Sequence, residues 1–201
     1  MSLRAAGTRA ACDDPGMRRP TSPPVPFSDG VVALRRWEHA DAPAIARICS
    51  DEELVRWLDG LPSPYTEDDA RAWIAHGDAG WRGEGDHTPL AIVRAATGEL
   101  LGSIAVTWKP HDSAEVGYWV AAEARGRGVA TRATRLVARW VLGDVGFERL
   151  QLQADPRNAA SCRVAERAGF TLEGTKRSAR WNRRQKRRID LNQYALLRSE
   201  L

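Results

Sequence analysis

Arginine and glycine alternate in one short segment of the sequence, Arg125–Thr131, which reads R-G-R-G-V-A-T. A helical pattern begins at Val129, and the first turn of a helix offers main-chain N–H groups that the helix itself leaves unpaired. Glycine lets an anion approach the backbone closely, and arginine carries a charge suited to phosphate oxygens. The segment therefore predicts a phosphate site. Taken alone, the string is equally compatible with an ordinary glycine turn flanked by solvated arginines.

Two other phosphate-binding loops compete with this interpretation. The nucleotide triphosphatase pattern G-x-x-x-x-G-K-[ST] is absent from the sequence. The dinucleotide pattern G-x-G-x-x-G is nearly matched, because Gly126 and Gly128 are followed by Thr131 where the third glycine would stand, with Glu148 about 20 residues further on. That pattern opens a parallel βαβ unit, whereas antiparallel strands are predicted before it here. A dinucleotide enzyme is therefore disfavoured.

The elements around the segment follow from the spacing of apolar residues. Residues 90–94 and 100–108 are apolar runs joined by A-A-T-G-E and predict an antiparallel hairpin, while residues 115–120 predict a further strand. The apolar positions after the segment recur at helical spacing and predict a helix that stops near residues 143–146. The glycine segment thus joins a strand to a helix.

The rest of the chain has the order of a mixed α/β domain without a repeat. A first strand is predicted from Val31, then a helix capped by Asp41, a short helix that carries Leu54 and Leu58, and a helix from Thr66 to Gly77. The later predictions are a strand at 150–154, a helix at 159–168, and two strands at 171–176 and 189–196.

Length and composition suit one domain. The 201 residues are 43% hydrophobic and 28% charged, and nowhere do about 18 uncharged apolar residues follow one another. Residues 1–28 are rich in Arg, Pro, Ser, Gly and Ala without helical or strand periodicity, so we expect a disordered leader before a folded domain at 29–201. We expect a soluble, cytoplasmic protein with no membrane partner. The three cysteines and four histidines lack the spacing of metal ligands.

Four strings occur in order along the chain: A-E-V-G-Y-W-V, R-G-R-G-V-A, D-P-R-N-A-A-S and R-A-G-F. Together they resemble the GNAT superfamily of N-acetyltransferases, in its RimJ/RimL-type branch, which includes ribosomal-protein N-terminal acetyltransferases. The resemblance covers about residues 31–197. It implies a mixed α+β GNAT fold, whose central sheet is mostly antiparallel and twisted, with about six to seven strands, one splayed pair and helices on both faces.

The resemblance also implies acetyl-CoA as the co-substrate. The strand at 115–120 is expected to bulge and to splay from the strand at 151–154, so that the pantetheine arm inserts between them near the main chain of Trp119 and Val120. Asn158 is expected to bind the same arm. The pyrophosphate is expected on the glycine segment, formed by Arg125, Gly126, Arg127, Gly128, Val129, Ala130 and Thr131. Direct transfer of this kind needs no metal.

Two residues are predicted to handle protons. By the same resemblance, Glu115 is expected to accept the proton of the amine through water. The alternative is an acid at a strand end that faces solvent or pairs with an arginine. Ser161 is expected to protonate the departing thiolate, and helix capping is its alternative, as it is for Asn158. Tyr118 is expected to pack rather than act as an acid. Trp57 and Trp81 lie in segments that line the acceptor cleft in the family, although core packing is the favoured expectation for both.

The charge of the chain is concentrated near its end. Residues 176–188 hold eight basic residues and no acidic one, and since the whole chain carries +4, the remainder carries −4. Three interpretations stay open for this run: a solvated hairpin, a nucleic-acid or ribosome contact, and an attraction for an anionic cofactor or acidic substrate.

The favoured function is acetyl transfer from acetyl-CoA to a primary amine, with a protein N-terminal α-amine as the preferred acceptor. The alternatives are a small-molecule amine as acceptor, or a CoA-binding or RNA-docking module without catalysis. The protein is expected to be a monomer or a homodimer.

Overall fold

The computed structural model describes residues 20–24 and 27–201. Most of the expected leader therefore lies outside the described residues. Phe27 is buried and packs edge-on against Trp140 at a centroid distance of 5.5 Å, and Ser28 forms a β-bridge with Ala33. The folded domain thus includes two residues that the sequence assigned to the leader.

A single seven-stranded sheet forms the centre of the protein, in the order β1-β2-β3-β4-β5-β7-β6. All neighbouring strands are antiparallel except β4 and β5, which are parallel. The mixed fold and the number of strands agree with the prediction. The strands are β1 Val32–Arg35, β2 His87–Arg94, β3 Leu100–Lys109, β4 Ser113–Val120, β5 Arg149–Ala154, β6 Thr171–Asn182 and β7 Arg187–Leu197.

Helices cover both faces of the sheet. The helices are α1 Ala42–Cys49, α2 Glu52–Trp57, α3 Glu67–Trp81, α4 Val129–Ala138 and α5 Ala159–Arg167. The first three pack on one face, called here the acceptor face, and α4 and α5 pack mainly on the other, called here the cofactor face, after the roles that the resemblance leads us to expect. Side chains alternate along β2, so that Leu90 and Ile92 join the core of the cofactor face while Ala91 and Val93 join that of the acceptor face.

Helix α3 is longer than predicted. It passes Gly77, where the sequence placed its end, and continues to Trp81, whose indole N–H donates to the Pro89 carbonyl. Its start is as expected, since Thr66 and Asp69 form a capping box. By contrast, Asp41 precedes α1 but does not cap it, because its carboxylate is bound by Arg35 and the Glu38 N–H.

The strands β4 and β5 pair over a short distance. Only Ser113, Ala114 and Glu115 are in register with β5, and β4 then continues to Val120 without that neighbour. The expected splay is confirmed. The expected bulge is wrong, because β4 pairs with β3 without a register shift through eight consecutive residue pairs. The gap therefore arises where β5 diverges from a regular β4.

The closing hairpin is longer than predicted as well. Strands β6 and β7 extend through most of the basic run, of which the prediction placed only Lys176 in a strand. Register shifts interrupt their pairing between Leu172 and Gly174 and between Lys176 and Arg180. These irregularities let a long edge strand bend away from the plane of the sheet.

Helix α3 approaches β2 so closely that one of its residues has to be glycine. A Cβ added at Gly80 would lie 1.8 Å from the His87 carbonyl oxygen, which belongs to the backbone and cannot rotate away. We predict that G80A lowers the free energy of unfolding by about 2 kcal/mol or more, as overpacking does. Urea unfolding followed by tryptophan fluorescence measures this change.

The matched control is G143A. Gly143 is also helical, its added Cβ meets no atom within 4 Å, and its φ is not positive. This variant should be as stable as the wild type or more stable by up to about 1 kcal/mol. Equal tolerance of both substitutions would show that α3 and β2 are not held at this distance.

Candidate active site

A cleft of about 470 Å³ opens where β4 and β5 have separated. Its walls are the end of β4, the glycine segment, the start of α4, the exposed side of α5 and part of α2. Ten of the predicted site residues line it, namely Trp119, Val120, Arg125, Gly126, Gly128, Val129, Ala130, Thr131, Asn158 and Ser161. Glu115 and Arg127 are the two predicted residues that do not.

The start of α4 presents free hydrogen-bond donors to this cleft. Gly128 is the N-cap residue, with φ of 75°, and has no side chain that could accept from the helix. Within the described part of the chain, the main-chain N–H groups of Val129, Ala130 and Thr131 have no acceptor, and the first turn holds no acidic side chain. The positive end of the helix dipole is therefore left for an external anion.

The two glycines of the segment keep the approach to these donors open. Gly126 has φ of 73°, and both glycines adopt the left-handed conformation that other residues avoid. A Cβ at Gly126 or Gly128 would meet no atom within 4 Å, so the space beside the backbone is free. An anion the size of a pyrophosphate can thus reach the helix start.

Arg125 is not the free cation that the sequence suggested. Its guanidinium donates to Asp51 at 2.5 Å and to Glu53 at 2.9 Å, and its Nε donates to the Val120 carbonyl at 3.2 Å. The hydrogen bond from Arg125 lowers the pKa of the Asp51 carboxyl. Two carboxylates thus neutralise this arginine, and its visible role is to fix the glycine segment to α2.

Arg127 points away from the main cleft. It lines a second cavity of about 350 Å³, together with the ion pairs Arg47–Glu123 and Arg94–Glu99. The Arg127 side chain is therefore not placed to bind a pyrophosphate in the main cleft. That its main-chain N–H binds the pyrophosphate stays a prediction.

A tight turn after β5 sets the position of Asn158. Asp155 is buried and accepts hydrogen bonds from the Arg157 main chain and guanidinium, which hold the pKa of the Asp155 carboxyl below its ordinary value. The Asp155 carbonyl accepts from the Asn158 N–H at 2.8 Å. Asn158 then caps α5, because its Oδ1 accepts from the Ser161 N–H at 3.1 Å. The capping interpretation is confirmed, and it leaves Asn158 in the cleft wall.

Two hydroxyl groups meet in the cleft. The Tyr118 hydroxyl lies 2.9 Å from the Ser161 Oγ, and either group can donate. The tyrosine ring packs against the core of the cofactor face, as expected, but its hydroxyl belongs to the site. Burial raises the pKa of Tyr118 to about 12, so the hydroxyl stays protonated at neutral pH.

Glu115 lies at the point where the strands separate. It is the last β4 residue in register with β5, opposite Gln151. Its side chain alternates with those of Ala114 and Val116, which belong to the core of the cofactor face, so Glu115 points to the acceptor face. Lys109 Nζ lies 3.7 Å from its carboxylate. The structure thus places Glu115 beside the gap but not in the cleft wall.

The structure adds cleft residues that the sequence reasoning missed. Helix α5 contributes Ala160, Arg163, Val164 and Arg167, whose spacing of three and four residues marks one helix face. Arg163 and Arg167 are the exposed cations of that face. Trp57 is also in the wall, so the expectation of core packing is wrong for Trp57 and correct for Trp81, which is 2% exposed.

The described residues contain no group of three or more His, Cys, Asp or Glu side chains that could hold a metal ion. None of their helices has the length and apolar character needed to cross a membrane. Cys49 is buried, Cys162 is partly buried, and neither is in a disulfide, while Cys12 lies outside the described residues.

The unpaired donors of α4 lead to a prediction about CoA. T131E places a carboxylate in the first turn, where the helix dipole favours it by about 0.3–1 kcal/mol. The same charge repels a pyrophosphate. We therefore expect the Kd for CoA, measured by calorimetry, to rise about tenfold or more while the free energy of unfolding stays equal or rises.

The control T131Q has the same length of side chain without the charge. It should keep most of the affinity for CoA, which separates repulsion from crowding. Wild-type affinity in T131E would show that the pyrophosphate does not bind at the start of α4.

Comparison with known proteins agrees with this geometry. The family described as "Acetyltransferase (GNAT) domain" matches residues 32–171. A relative from Bacillus subtilis strain 168, named "Putative ribosomal N-acetyltransferase YdaF", is 28% identical over 174 residues, which cover 84% of this chain and 92% of the relative.

Solved structures show the same architecture. RimJ of Mycobacterium smegmatis, in complex with CoA-disulfide, is 25% identical with a TM-score of 0.77, over 88% of this chain and 85% of that one. RimL, described as a ribosomal L7/L12 alpha-N-protein acetyltransferase in complex with CoA, is 21% identical with a TM-score of 0.75, over 86% of this chain and 97% of that one, and shares the fold. These names agree with the RimJ/RimL-type resemblance of the sequence. The chain belongs to the GNAT family of N-acetyltransferases.

Proposed function

We propose that the protein transfers the acetyl group of acetyl-CoA to the N-terminal α-amine of a polypeptide. The observation that carries this proposal is the cleft between β4 and β5, which joins unpaired N–H donors at α4 to a pair of hydroxyls at α5. Two names support it, because YdaF is named a putative ribosomal N-acetyltransferase and RimL is described as a ribosomal L7/L12 alpha-N-protein acetyltransferase.

The residues of the cleft fit the parts of acetyl-CoA in order. The amides of Val129, Ala130 and Thr131 would hold the pyrophosphate. The end of β4 at Trp119 and Val120 has lost its β5 neighbour and would pair with the extended pantetheine arm as an added strand. Asn158 stands on the opposite wall, where its amide can bind the same arm. Acetyl-CoA, when bound, supplies the acyl group as a thioester.

The acetyl transfer forms a C–N bond and breaks the C–S bond. The attacking amine has to be neutral, and an α-amine with a pKa near 8 is more easily deprotonated than lysine, with a pKa of about 10.4. Glu115 would take the proton of the amine through water, because it borders the gap on the acceptor face. Ser161, backed by Tyr118, would hydrogen-bond the departing sulfur. Main-chain N–H groups of β4 near the gap would stabilise the oxyanion.

Release of CoA thiol with a panel of acceptors tests the proposed function. The panel contains unblocked peptides, the same peptides with acetylated N-termini and an internal lysine, and polyamines. Turnover is expected with the unblocked peptides. Turnover confined to polyamines would identify a small-molecule acetyltransferase, and no turnover with any amine would refute enzymatic transfer.

The role of Glu115 is tested by E115Q. The variant keeps the shape of the side chain but cannot accept a proton. We expect kcat/KM at pH 7 to fall by about 100-fold, as loss of a general base does, and the rise of kcat/KM with pH to become flatter. The Kd for CoA should be unchanged. An unaltered pH profile would refute Glu115 as the base.

The hydroxyl pair of Tyr118 and Ser161 leads to a prediction about how kcat/KM depends on pH on the alkaline side. Because the pKa of Tyr118 is raised to about 12, its hydroxyl stays protonated as the pH rises through the pKa of the amine. We expect kcat/KM to reach half its maximum near pH 8, to level off above about pH 9 and to stay level up to about pH 10. Y118F should lower kcat by about tenfold and keep this shape. A decline below pH 10 that disappears in Y118F would contradict this assignment.

A further inference from the structure

The hairpin of β6 and β7 carries a cluster of cations that form no ion pair with the described residues. All eight are exposed, and among the described residues none of their side chains has a carboxylate oxygen within 4.0 Å. Asp155 and Glu173 act on Arg180 and Lys176 only through longer-range attraction. This group, called here the cationic strip, consists of Lys176, Arg177, Arg180, Arg183, Arg184, Lys186, Arg187 and Arg188.

The tip of the hairpin is fixed beside the cleft from two sides. The Arg183 N–H donates to the Asp59 carboxylate at 3.0 and 3.1 Å, and Arg184 Nη2 donates to the Leu61 carbonyl at 3.0 Å. Both acceptors follow α2, whose Trp57 lines the cleft. On the other side, Gln185 Oε1 accepts from the Arg157 guanidinium at 3.2 Å, one residue before Asn158. The strip therefore lies at the rim of the site.

A row of hydrogen bonds joins the base of the strip to the catalytic gap. Lys176 Nζ donates to Gln193 Oε1 at 2.9 Å, Gln193 Nε2 donates to Gln151 Oε1 at 3.1 Å, and Gln151 Nε2 donates to Ser113 Oγ at 3.1 Å. Gln151 is the residue in register with Glu115. The strip thus begins on the acceptor face, in line with the proposed base.

We propose that the cationic strip is an extended subsite for the acceptor, and that it selects polypeptide N-termini whose first residues include several carboxylates. This inference rests on the proposed function. Lys176 and Asn182 pair with Leu191 and Arg187, so the strand between them spans about 13 Å at about 3.3 Å per residue, which matches an extended peptide of about four residues. A small amine would end inside the cleft and leave the strip unused. A peptide held by its α-amine at the gap passes along the strip.

Three other roles for these cations are less well supported by the structure. Charges on an edge strand such as β6 prevent edge-to-edge pairing, but that role requires neither clustering at the cleft nor the hydrogen-bonded row. Single-stranded RNA is bound through stacked aromatics, and Trp181 is the one exposed aromatic of the strip. Cofactor attraction is already served by Arg163 and Arg167 in the cleft wall.

Matched peptides test the inference with the full chain. One peptide carries Asp and Glu at its third to sixth positions, and its partner carries Asn and Gln at the same places. We expect kcat/KM for the acidic peptide to exceed that for the neutral peptide by about tenfold or more at about 0.01 M ionic strength, mainly through KM. The ratio should fall at about 0.15 M, where the screening length is about 8 Å.

The double variant R177Q/R180Q tests whether the cationic strip causes the preference for the acidic peptide. Neither side chain makes a hydrogen bond or ion pair within the described residues, so the hairpin loses charge without losing a contact. The ratio of acidic to neutral kcat/KM should fall by at least about threefold. The control R82Q/R139Q removes the same charge from exposed positions that line neither cavity, and it should keep the wild-type ratio.

The remaining outcomes overturn the inference in distinguishable ways. Equal turnover of both peptides by the wild type refutes the acidic subsite but leaves the proposed function intact. An equal fall in the ratio for both double variants indicates net charge instead of the strip. A raised KM for acetyl-CoA in R177Q/R180Q, with the peptide ratio unchanged, indicates cofactor attraction. Salt-dependent binding of a labelled poly-uridine RNA that R177Q/R180Q abolishes, without any peptide preference, identifies a nucleic-acid surface.

Discussion

The separation of β4 from β5 after three residue pairs is the constraint on which the rest of the site depends. A parallel pair that ends early leaves main-chain groups of both strands without sheet partners, and buried backbone groups must find other acceptors and donors. Here β5 pairs with β7 along its whole length, while β4 beyond Glu115 pairs only with β3. One edge of β4 is thus available inside the protein, next to the start of α4 and the start of α5. A substrate with an extended, amide-bearing arm can complete the sheet.

Several contacts hold this opening in shape. Arg125 ties the glycine segment to α2 through Asp51 and Glu53, and the hairpin tip ties β6 and β7 to the loop after α2 through Asp59. Polar contacts therefore link helix α2 and the loop after it to both the glycine segment and the tip of the hairpin. Helix α2 is only six residues long and buries a single residue, Leu54, so these polar contacts add to its attachment to the rest of the protein. Each exposed ion pair of this kind contributes little to the free energy of unfolding, so its main effect is to hold these elements in position.

Much of this arrangement can be predicted from the sequence, for physical reasons. Apolar spacing identifies β2, β3, α4 and β5, because each buries one or both of its faces. The glycine segment is identified because positive φ values and an open approach both require glycine. By contrast, the partners of Arg125 lie about 70 residues away in sequence, and only the fold brings them together. The length of β6 is hidden because its residues are exposed on an edge and carry no apolar alternation. The Tyr118–Ser161 contact crosses from a strand to a helix and leaves no spacing signal.

The alternation of side chains along β4 keeps Glu115, the proposed base, away from the hydroxyl pair of Tyr118 and Ser161. Successive side chains of a strand point to opposite faces, so Tyr118 reaches α5 on the cofactor face while Glu115, three residues earlier, points to the acceptor face. An odd separation along one strand thus places the proposed base and the hydroxyl pair on the two sides of a single sheet. Placed side by side, a carboxylate and a hydroxyl would hydrogen-bond to each other and be lost to the substrates. Separated by the sheet, the two groups meet only at the gap between β4 and β5, where in the proposed reaction the amine from one face would meet the thioester from the other.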